Sequence, residues 1–284
     1  MTEKCTHDCS TCSSNCSSKD TTVLEKEKPE SFLEKTHEFS NVKKVFGVLS
    51  GKGGVGKSLV SGLLASLLNK QGYKTAILDA DITGPSIPKM FGLKGNVTGD
   101  DLGIYPRKSE GGVSIISSNF LIENEDDPIV WRGPLIAGMV KQFWTNVVWN
   151  DIDYMFVDMP PGTGDVSLTV FQSLPLDGII VVTSPQDLVT MIVKKAIKMA
   201  DMMDIPVVGI VENMSYVKCT NCDTEIRLFN PEKENDLDIL DKIPLDYNIA
   251  NSCDKGKIED LDVPYLDNTI NMIITNWPIK QEEE

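Results

Sequence analysis

Six short runs rich in Val, Ile, Leu and Phe mark the chain at 45–50, 75–79, 113–117, 154–159, 178–184 and 207–213. They do not alternate apolar with polar residues as a strand with one wet face would, so each reads as a strand buried on both faces. Between them, 57–71, 134–149 and 187–203 repeat their apolar residues at helical spacing. Strands and helices in this order predict a parallel sheet covered on both faces, an α/β doubly wound fold. At either end the pattern fades. Residues 1–42 hold Cys, Ser, Thr, Lys and Glu without an apolar period and are expected to form a flexible Cys-rich arm. The folded domain is expected over 43–279, followed by an acidic tail at 280–284. Beyond residue 230 the chain is acidic and broken by Pro231, Pro244 and Pro264, which predicts short helices and loops there.

The chain has 284 residues, 41% of them hydrophobic, which is enough for one large domain with a buried core. Its 27 Lys and Arg face 42 Asp and Glu, a formal charge of -15. The first 44 residues are nearly neutral and the tail adds -2, so -12 falls on the body between. Such a surface repels phosphate backbones and anionic lipid headgroups, so neither nucleic acid nor membrane is an expected partner. The longest apolar stretches, such as 178–182, fall far short of the ~20 residues of a spanning helix. The N-terminus lacks the basic and then apolar pattern of a secretory signal, and a cytoplasmic location is expected. In a reducing compartment the seven cysteines are available to metals or to catalysis.

Gly51-Lys52-Gly53-Gly54-Val55-Gly56-Lys57-Ser58 matches G-x-x-x-x-G-K-[ST] between the first strand and the first helix. Glycines are needed where backbone N–H groups turn inward around phosphate oxygens. Lys57 is expected to reach the β- and γ-phosphates of ATP, and the Ser58 hydroxyl to bind Mg²⁺. Asp79 and Asp81 leave the second strand at its C-terminal end, where carboxylates face the phosphate crevice, and Asp81 is the candidate for orienting the attacking water. Asp158 ends another buried strand and is expected to hold Mg²⁺ through water. Gly162 and Gly164 follow it in a loop able to move when the γ-phosphate leaves. Asn213, at the end of the sixth strand, is either a base-pairing amide or a turn former.

Cys219 and Cys222, two residues apart, can face one metal but supply two of the four ligands that zinc or an iron–sulfur cluster takes. A two-fold dimer giving the same pair from each chain is the simplest completion. A redox dithiol and a zinc site remain alternatives. Cys5, Cys9, Cys12 and Cys16 form a second candidate metal set on the arm, with His7 able to replace a thiol if zinc is bound. Cys253 reads as a small buried residue and His37 as ordinary linker.

With these residues assembled, the body from 43 to 277 resembles the Mrp/ApbC/Nbp-type iron–sulfur cluster carrier ATPases. The resemblance rests on 51–58, 79–88, Trp131-Arg132-Gly133-Pro134, 158–165, Glu212-Asn213-Met214-Ser215 and Cys219 to Cys222. The K-G-G-x-G-K pattern of Lys52 and Lys57 is similar to the deviant Walker A of MinD, ParA and nitrogenase iron protein, in which the extra lysine reaches the nucleotide of a facing subunit. The resemblance implies a homodimer that hydrolyses ATP slowly, with Lys52, Lys57 and Asp81 catalytic and Asn213 on adenine. It also implies a [4Fe–4S] cluster held across the dimer interface and passed to apo-proteins. The rival reading is a MinD/ParA-like nucleotide switch, or a binding module whose cysteines hold structural zinc. A partition ATPase needs a basic face, which a body at -12 does not offer, and a membrane switch needs a basic amphipathic C-terminus, where this chain carries three Glu.

Overall fold

The computed structural model of the protein describes residues 32–82, 84–122, 133–162, 164–185, 187–219, 221–222, 224–227 and 239–279. In chain order its first half holds β1 (Ser40–Ser50), α1 (Lys57–Lys70), β2 (Thr75–Asp79), α2 (Ile87–Met90), β3 (Thr98–Asp100), β4 (Gly103–Tyr105), β5 (Arg107–Lys108), β6 (Ser114–Ile116) and α3 (Gly133–Thr145). Its second half holds β7 (Asn150–Asp158), α4 (Asp165–Ser173), β8 (Gly178–Thr183), α5 (Asp187–Met202), β9 (Val207–Glu212), β10 (Val217–Lys218), β11 (Glu225–Ile226), β12 (Ile239–Lys242), α6 (Tyr247–Asp254) and α7 (Asp267–Asn276). Eight strands form one sheet in the order β12-β9-β8-β1-β7-β2-β6-β5. Every pairing in it is parallel except that of β5 with β6.

The unbroken apolar runs have a direct physical reading. Successive residues of a strand point to opposite faces, and here both faces are covered. Phe46 and Val48 of β1, Ile77 of β2, Tyr154 and Phe156 of β7, and Ile180 and Val182 of β8 enter one core, against Val60, Leu63, Leu64 and Leu68 of α1 and Ile270 and Ile273 of α7. Their neighbours Val45, Leu49, Leu78, Met155, Val157, Ile179 and Val181 enter the other, against Val140, Phe143 and Trp144 of α3 and Val193 and Ala196 of α5. Each fully buried aliphatic side chain contributes roughly 1.5–3 kcal/mol relative to exposure. The doubly wound α/β class read from the sequence is the observed one. No described helix is long and apolar enough to cross a membrane.

Three boundaries differ from the sequence reading. The arm was expected to reach residue 42, yet β1 begins at Ser40 and the compact unit at Leu33. The reason is a set of tertiary bonds that no local pattern announces. The Glu34 N–H donates to Ser173 O at 2.8 Å, its carbonyl accepts from Trp144 Nε1 at 3.0 Å, and its carboxylate pairs with Lys141 at 3.2 Å. The helix expected over 134–149 stops at Thr145. Val147, Val148 and Trp149 stay buried, but the Val148 N–H goes to Ile104 O and the Trp149 N–H to Ser40 Oγ. Past residue 230 the expected short helices are α6 and α7, and one element not expected there, β12, extends the sheet beside β9. The acidic tail and the arm up to residue 31 lie outside the described residues.

Candidate functional site

The loop leaving β1 builds a cradle. Gly54 and Gly56 take φ of 82° and 88°, a region that a side chain disfavours, and Gly56 is the N-cap of α1 without a side chain bonding the first turn. The free N–H groups of that turn, at the positive end of a 14-residue helix, suit an anion. A Cβ on Gly56 would also lie 2.1 Å from Asn213 Nδ2. The amide of Asn213 donates to Val55 O at 2.9 Å, so β9 closes against the loop from behind. In front opens a cleft of about 350 Å³, lined by Gly53, Gly54, Lys57, Ser58, Asp81 and Met214 among others. Gly51 and Val55 are buried, whereas Lys52 is exposed. Asn213 lies against the loop backbone.

Three carboxylates meet at the floor. The β2–β7 register sets Asp79 directly beside Asp158. Asp158, fully buried, accepts from Ser58 Oγ at 2.6 Å and from Ser61 Oγ at 2.8 Å, and pairs with Lys57 Nζ at 2.9 Å. Lys57 also lies 3.5 Å from Asp81. Burial alone would lower the Lys57 ammonium, but Asp158, Asp81 and Asp79 together outweigh it and raise its pKa. Asp79 is fully buried and moves the other way for a carboxylate. Burial first and the Asp158 charge second push it well above the usual range, against the pull of Lys57 and Ser117. Asp79 accepts from Ser117 Oγ at 2.9 Å and from the Asp81 N–H at 3.2 Å, which fixes the turn that aims Asp81 at the cleft. Ser58 and Asp158 offer hard oxygen donors side by side, the kind that magnesium takes, and the donor set fits that ion.

Ser61 and Ser117 are the residues that sequence reasoning missed. Ser61 follows Lys57 by four positions and Ser58 by three, so helical spacing alone puts it on their face. Ser117 closes the third predicted strand but carries no motif. Met214 takes φ of 57° in the turn after β9, which the Ser215 hydroxyl braces by donating to Glu212.

That turn leads into the thiols. β10 and β11 form a two-stranded antiparallel ribbon, with Cys219 half-buried and Cys222 exposed at its tip. The Cys219 N–H donates to Thr224 O at 2.9 Å, and the Cys222 sulfur lies 3.2 Å from Thr224 Oγ1. Hydrogen bonds from the Thr224 hydroxyl and backbone, then from Cys219, hold the Cys222 thiol below its usual range. Among the described residues no three His, Cys, Asp or Glu side chains gather as a metal site. Cys253 packs half-buried against the α1 core, where burial raises its pKa. His37 accepts from the Phe39 N–H and stacks loosely on that ring. Cys5, His7, Cys9, Cys12, Cys16, Trp131 and Arg132 lie outside the described residues, while Gly162 (φ 83°) donates its N–H to Ser50 O.

A glycine cradle after β1 and acidic residues at the ends of β2 and β7 define a P-loop NTPase of the MinD/ParA fold. MinD in the MinC–MinD complex of Aquifex aeolicus shares that fold at a TM-score of 0.57, over 85% of this chain and 98% of MinD, with 17% identity. A ParA family model, described as the NUBPL iron-transfer P-loop NTPase, matches residues 41–275, and the chain belongs to that family. It is 42% identical over 236 residues to the iron–sulfur cluster carrier protein of Clostridium perfringens, covering 78% of this chain and 83% of the relative. It is 40% identical over 261 residues to that of Methanocaldococcus jannaschii, 89% of each. A nucleotide-binding protein of Archaeoglobus fulgidus, solved in complex with ADP, is 40% identical with a TM-score of 0.71, over 80% of this chain and 91% of that one.

Proposed function

We propose that this protein is an ATP-hydrolysing iron–sulfur cluster carrier, two copies of which hold a [4Fe–4S] cluster on Cys219 and Cys222 of each and pass it to apo-proteins. The observation that carries the reading is the continuity of one segment. Asn213 braces the phosphate loop, Met214 lines the nucleotide cleft, and Cys219 and Cys222 follow within nine residues. A change of nucleotide therefore reaches the thiols through a few covalent links.

In this reading water attacks the γ-phosphorus while the bond to the β-phosphate oxygen breaks. Asp81, aimed at the cleft by Asp79, orients that water. Lys57 offsets charge on the transferred group, and Gly53 to Gly56 present backbone N–H groups to the phosphates. Ser58 and Asp158 would hold Mg²⁺, which when bound would supply Lewis-acid chemistry. Lys52, exposed on the loop, reaches across to the nucleotide of the facing copy, and Asn213 is the residue assigned to adenine. The ribbon thiols are cargo ligands. Two per chain make the cluster's four when two chains meet, and a lowered Cys222 pKa favours the thiolate that binds iron. The arm cysteines form a separate candidate metal set, and the ribbon's donor count does not depend on them. The proposal places the carrier in the cytoplasm, where thiols stay reduced.

Anaerobic reconstitution tests this, with iron, sulfide and mass in solution read on the full chain, on a chain lacking residues 1–18, and on Cys219→Ala. The expected result is a four-iron load per dimer that survives arm deletion and disappears in Cys219→Ala. Iron that follows the arm alone overturns the bridging assignment.

A further inference from the structure

Asp158 has three partners in this structure, and two of them are working parts of the nucleotide site. Ser58 Oγ donates to one carboxylate oxygen at 2.6 Å. Lys57 Nζ pairs with the other at 2.9 Å. That same oxygen accepts from Ser61 Oγ at 2.8 Å, while the alternative acceptor for the Ser61 hydroxyl, Lys57 O, is farther away at 3.2 Å. In the proposed reaction Ser58 turns to the cation and Lys57 to the phosphates, so each loosens its hold on Asp158 when nucleotide binds. Ser61 has no such second duty. It is fully buried one turn along α1, and it does not line the cleft where Ser58 and Lys57 do.

We infer that Ser61 is the positioning residue for Asp158: it keeps the carboxylate aimed at the cation site through the stage at which its other two partners are engaged elsewhere. The inference rests on the nucleotide role proposed above and extends it to a residue outside every motif. A fully buried carboxylate left with no fixed donor is free to rotate or to draw Lys57 back from the phosphates. The helix supplies the geometry for this, because positions 57, 58 and 61 share one face of α1. Ser61 touches neither nucleotide nor cation in this assignment; it acts through Asp158.

The test is ADP binding to the full chain, titrated with Mg²⁺, for the parental protein, Ser61→Ala, Ser61→Cys and Ser61→Thr. Ser61→Ala is expected to need about tenfold more Mg²⁺ to reach half its ADP tightening, as loss of one hydrogen bond to a buried charge implies. Its ADP affinity without Mg²⁺ should stay within about twofold of the parental value, since phosphate contacts come from the loop. Ser61→Cys keeps the volume with a poor donor and should behave as the alanine variant does, which covers the case in which alanine fails to fold. Ser61→Thr restores the hydroxyl and should restore the parental Mg²⁺ curve. An unchanged Mg²⁺ requirement in a folded Ser61→Ala or Ser61→Cys overturns the inference and leaves the nucleotide role standing. Equal weakening with and without Mg²⁺ also overturns it, because that pattern belongs to general loosening of the helix. A parental protein that binds no ADP at any Mg²⁺ concentration removes the nucleotide reading itself, and this inference with it.

Discussion

The nucleotide cradle and the thiol ribbon lie within one stretch of chain, yet they are built on opposite principles. In the cradle, Lys57, Asp79 and Asp158 are buried and each is held by named partners across α1, β2, β7 and the residue after β6. In the ribbon, two strands of two residues each carry exposed Lys218, Glu225 and Ile226, and Cys222 lies open to solvent. The first site fixes its buried side chains within a single chain and in the proposed function takes Lys52 from the facing copy, because charges on transferred phosphate are stabilised best by groups already fixed in place. In the proposed assembly the second is incomplete within one chain, by its donor count. Two thiols cannot close a four-ligand cluster, and a short exposed ribbon can adapt when a second set arrives.

The sharpest way to break this contrast is to disable each side and ask whether the other notices. Cys219→Ala or Cys222→Ala should lower reconstituted iron on the ribbon to background while Tm moves by less than about 1 °C, since neither side chain belongs to the buried core. Lys57→Ala should cut ATP hydrolysis by at least about 100-fold, the loss of one preorganised charge at the phosphate, and leave iron uptake unchanged. Lys52→Ala should lose hydrolysis while keeping ADP binding. Coupled hydrolysis rates and iron analysis on the same preparations decide it. Loss of iron in Lys57→Ala would mean that the two sites do not load independently.

Next in size is the joint between the two regions. Gly56→Ala forces a side chain into φ of 88° and drives its Cβ onto the Asn213 amide, which must then release Val55 O. An L-residue in the left-handed region costs about 1–2 kcal/mol and the broken hydrogen bond about 1 more. For a domain of this size the sum corresponds to a fall in Tm of roughly 4–12 °C, measurable by thermal unfolding. A variant that melts with the parental protein would show that the loop and the β9 turn are not locked together.

Sequence carried the cradle far better than its supports. The six strands were legible because burial on both faces leaves apolar runs, and the phosphate loop was legible because backbone approach demands glycine at fixed spacing. Ser61 and Ser117 were not, since a serine that braces a carboxylate looks like any other serine until the register of β2 and β7 brings Asp79 and Asp158 together. β12 was hidden for a different reason. Its Leu-Asp-Lys ending is that of an edge strand bonded on one side only, in an acidic stretch interrupted by proline. The strap at Glu34 escaped notice because its order comes from Trp144, Lys141 and Ser173, all more than a hundred residues away. In the ribbon the C-x-x-C spacing offered a pair of metal ligands but selected no occupant, because thiolates accept several metals.

The smallest expected effect is also the one that most directly reads how tightly the cradle is built. Burial and the adjacent Asp158 raise the Asp79 carboxyl well above its usual range, so over the window between its unfolded and folded values the folded protein holds a proton that the unfolded chain has released. When the native state binds more protons, stability falls as pH rises. Asp79 therefore costs least in acid and progressively more as pH climbs through its folded value. Asp79→Asn removes the titration but keeps the shape: its carbonyl oxygen can still accept from the Asp81 N–H, and its NH₂ can donate to Ser117 Oγ. The variant should melt above the parental protein near pH 8, and the gap should close toward pH 5. Thermal unfolding at several pH values measures this. Ile226→Ala serves as the control from the ribbon, where an exposed side chain that does not titrate should give a difference that is constant with pH. A gap for Asp79→Asn that stays constant from pH 5 to 8 would mean that Asp79 is an ordinary carboxylate in the folded state, stabilised by Lys57 and Ser117 more than it is penalised by burial.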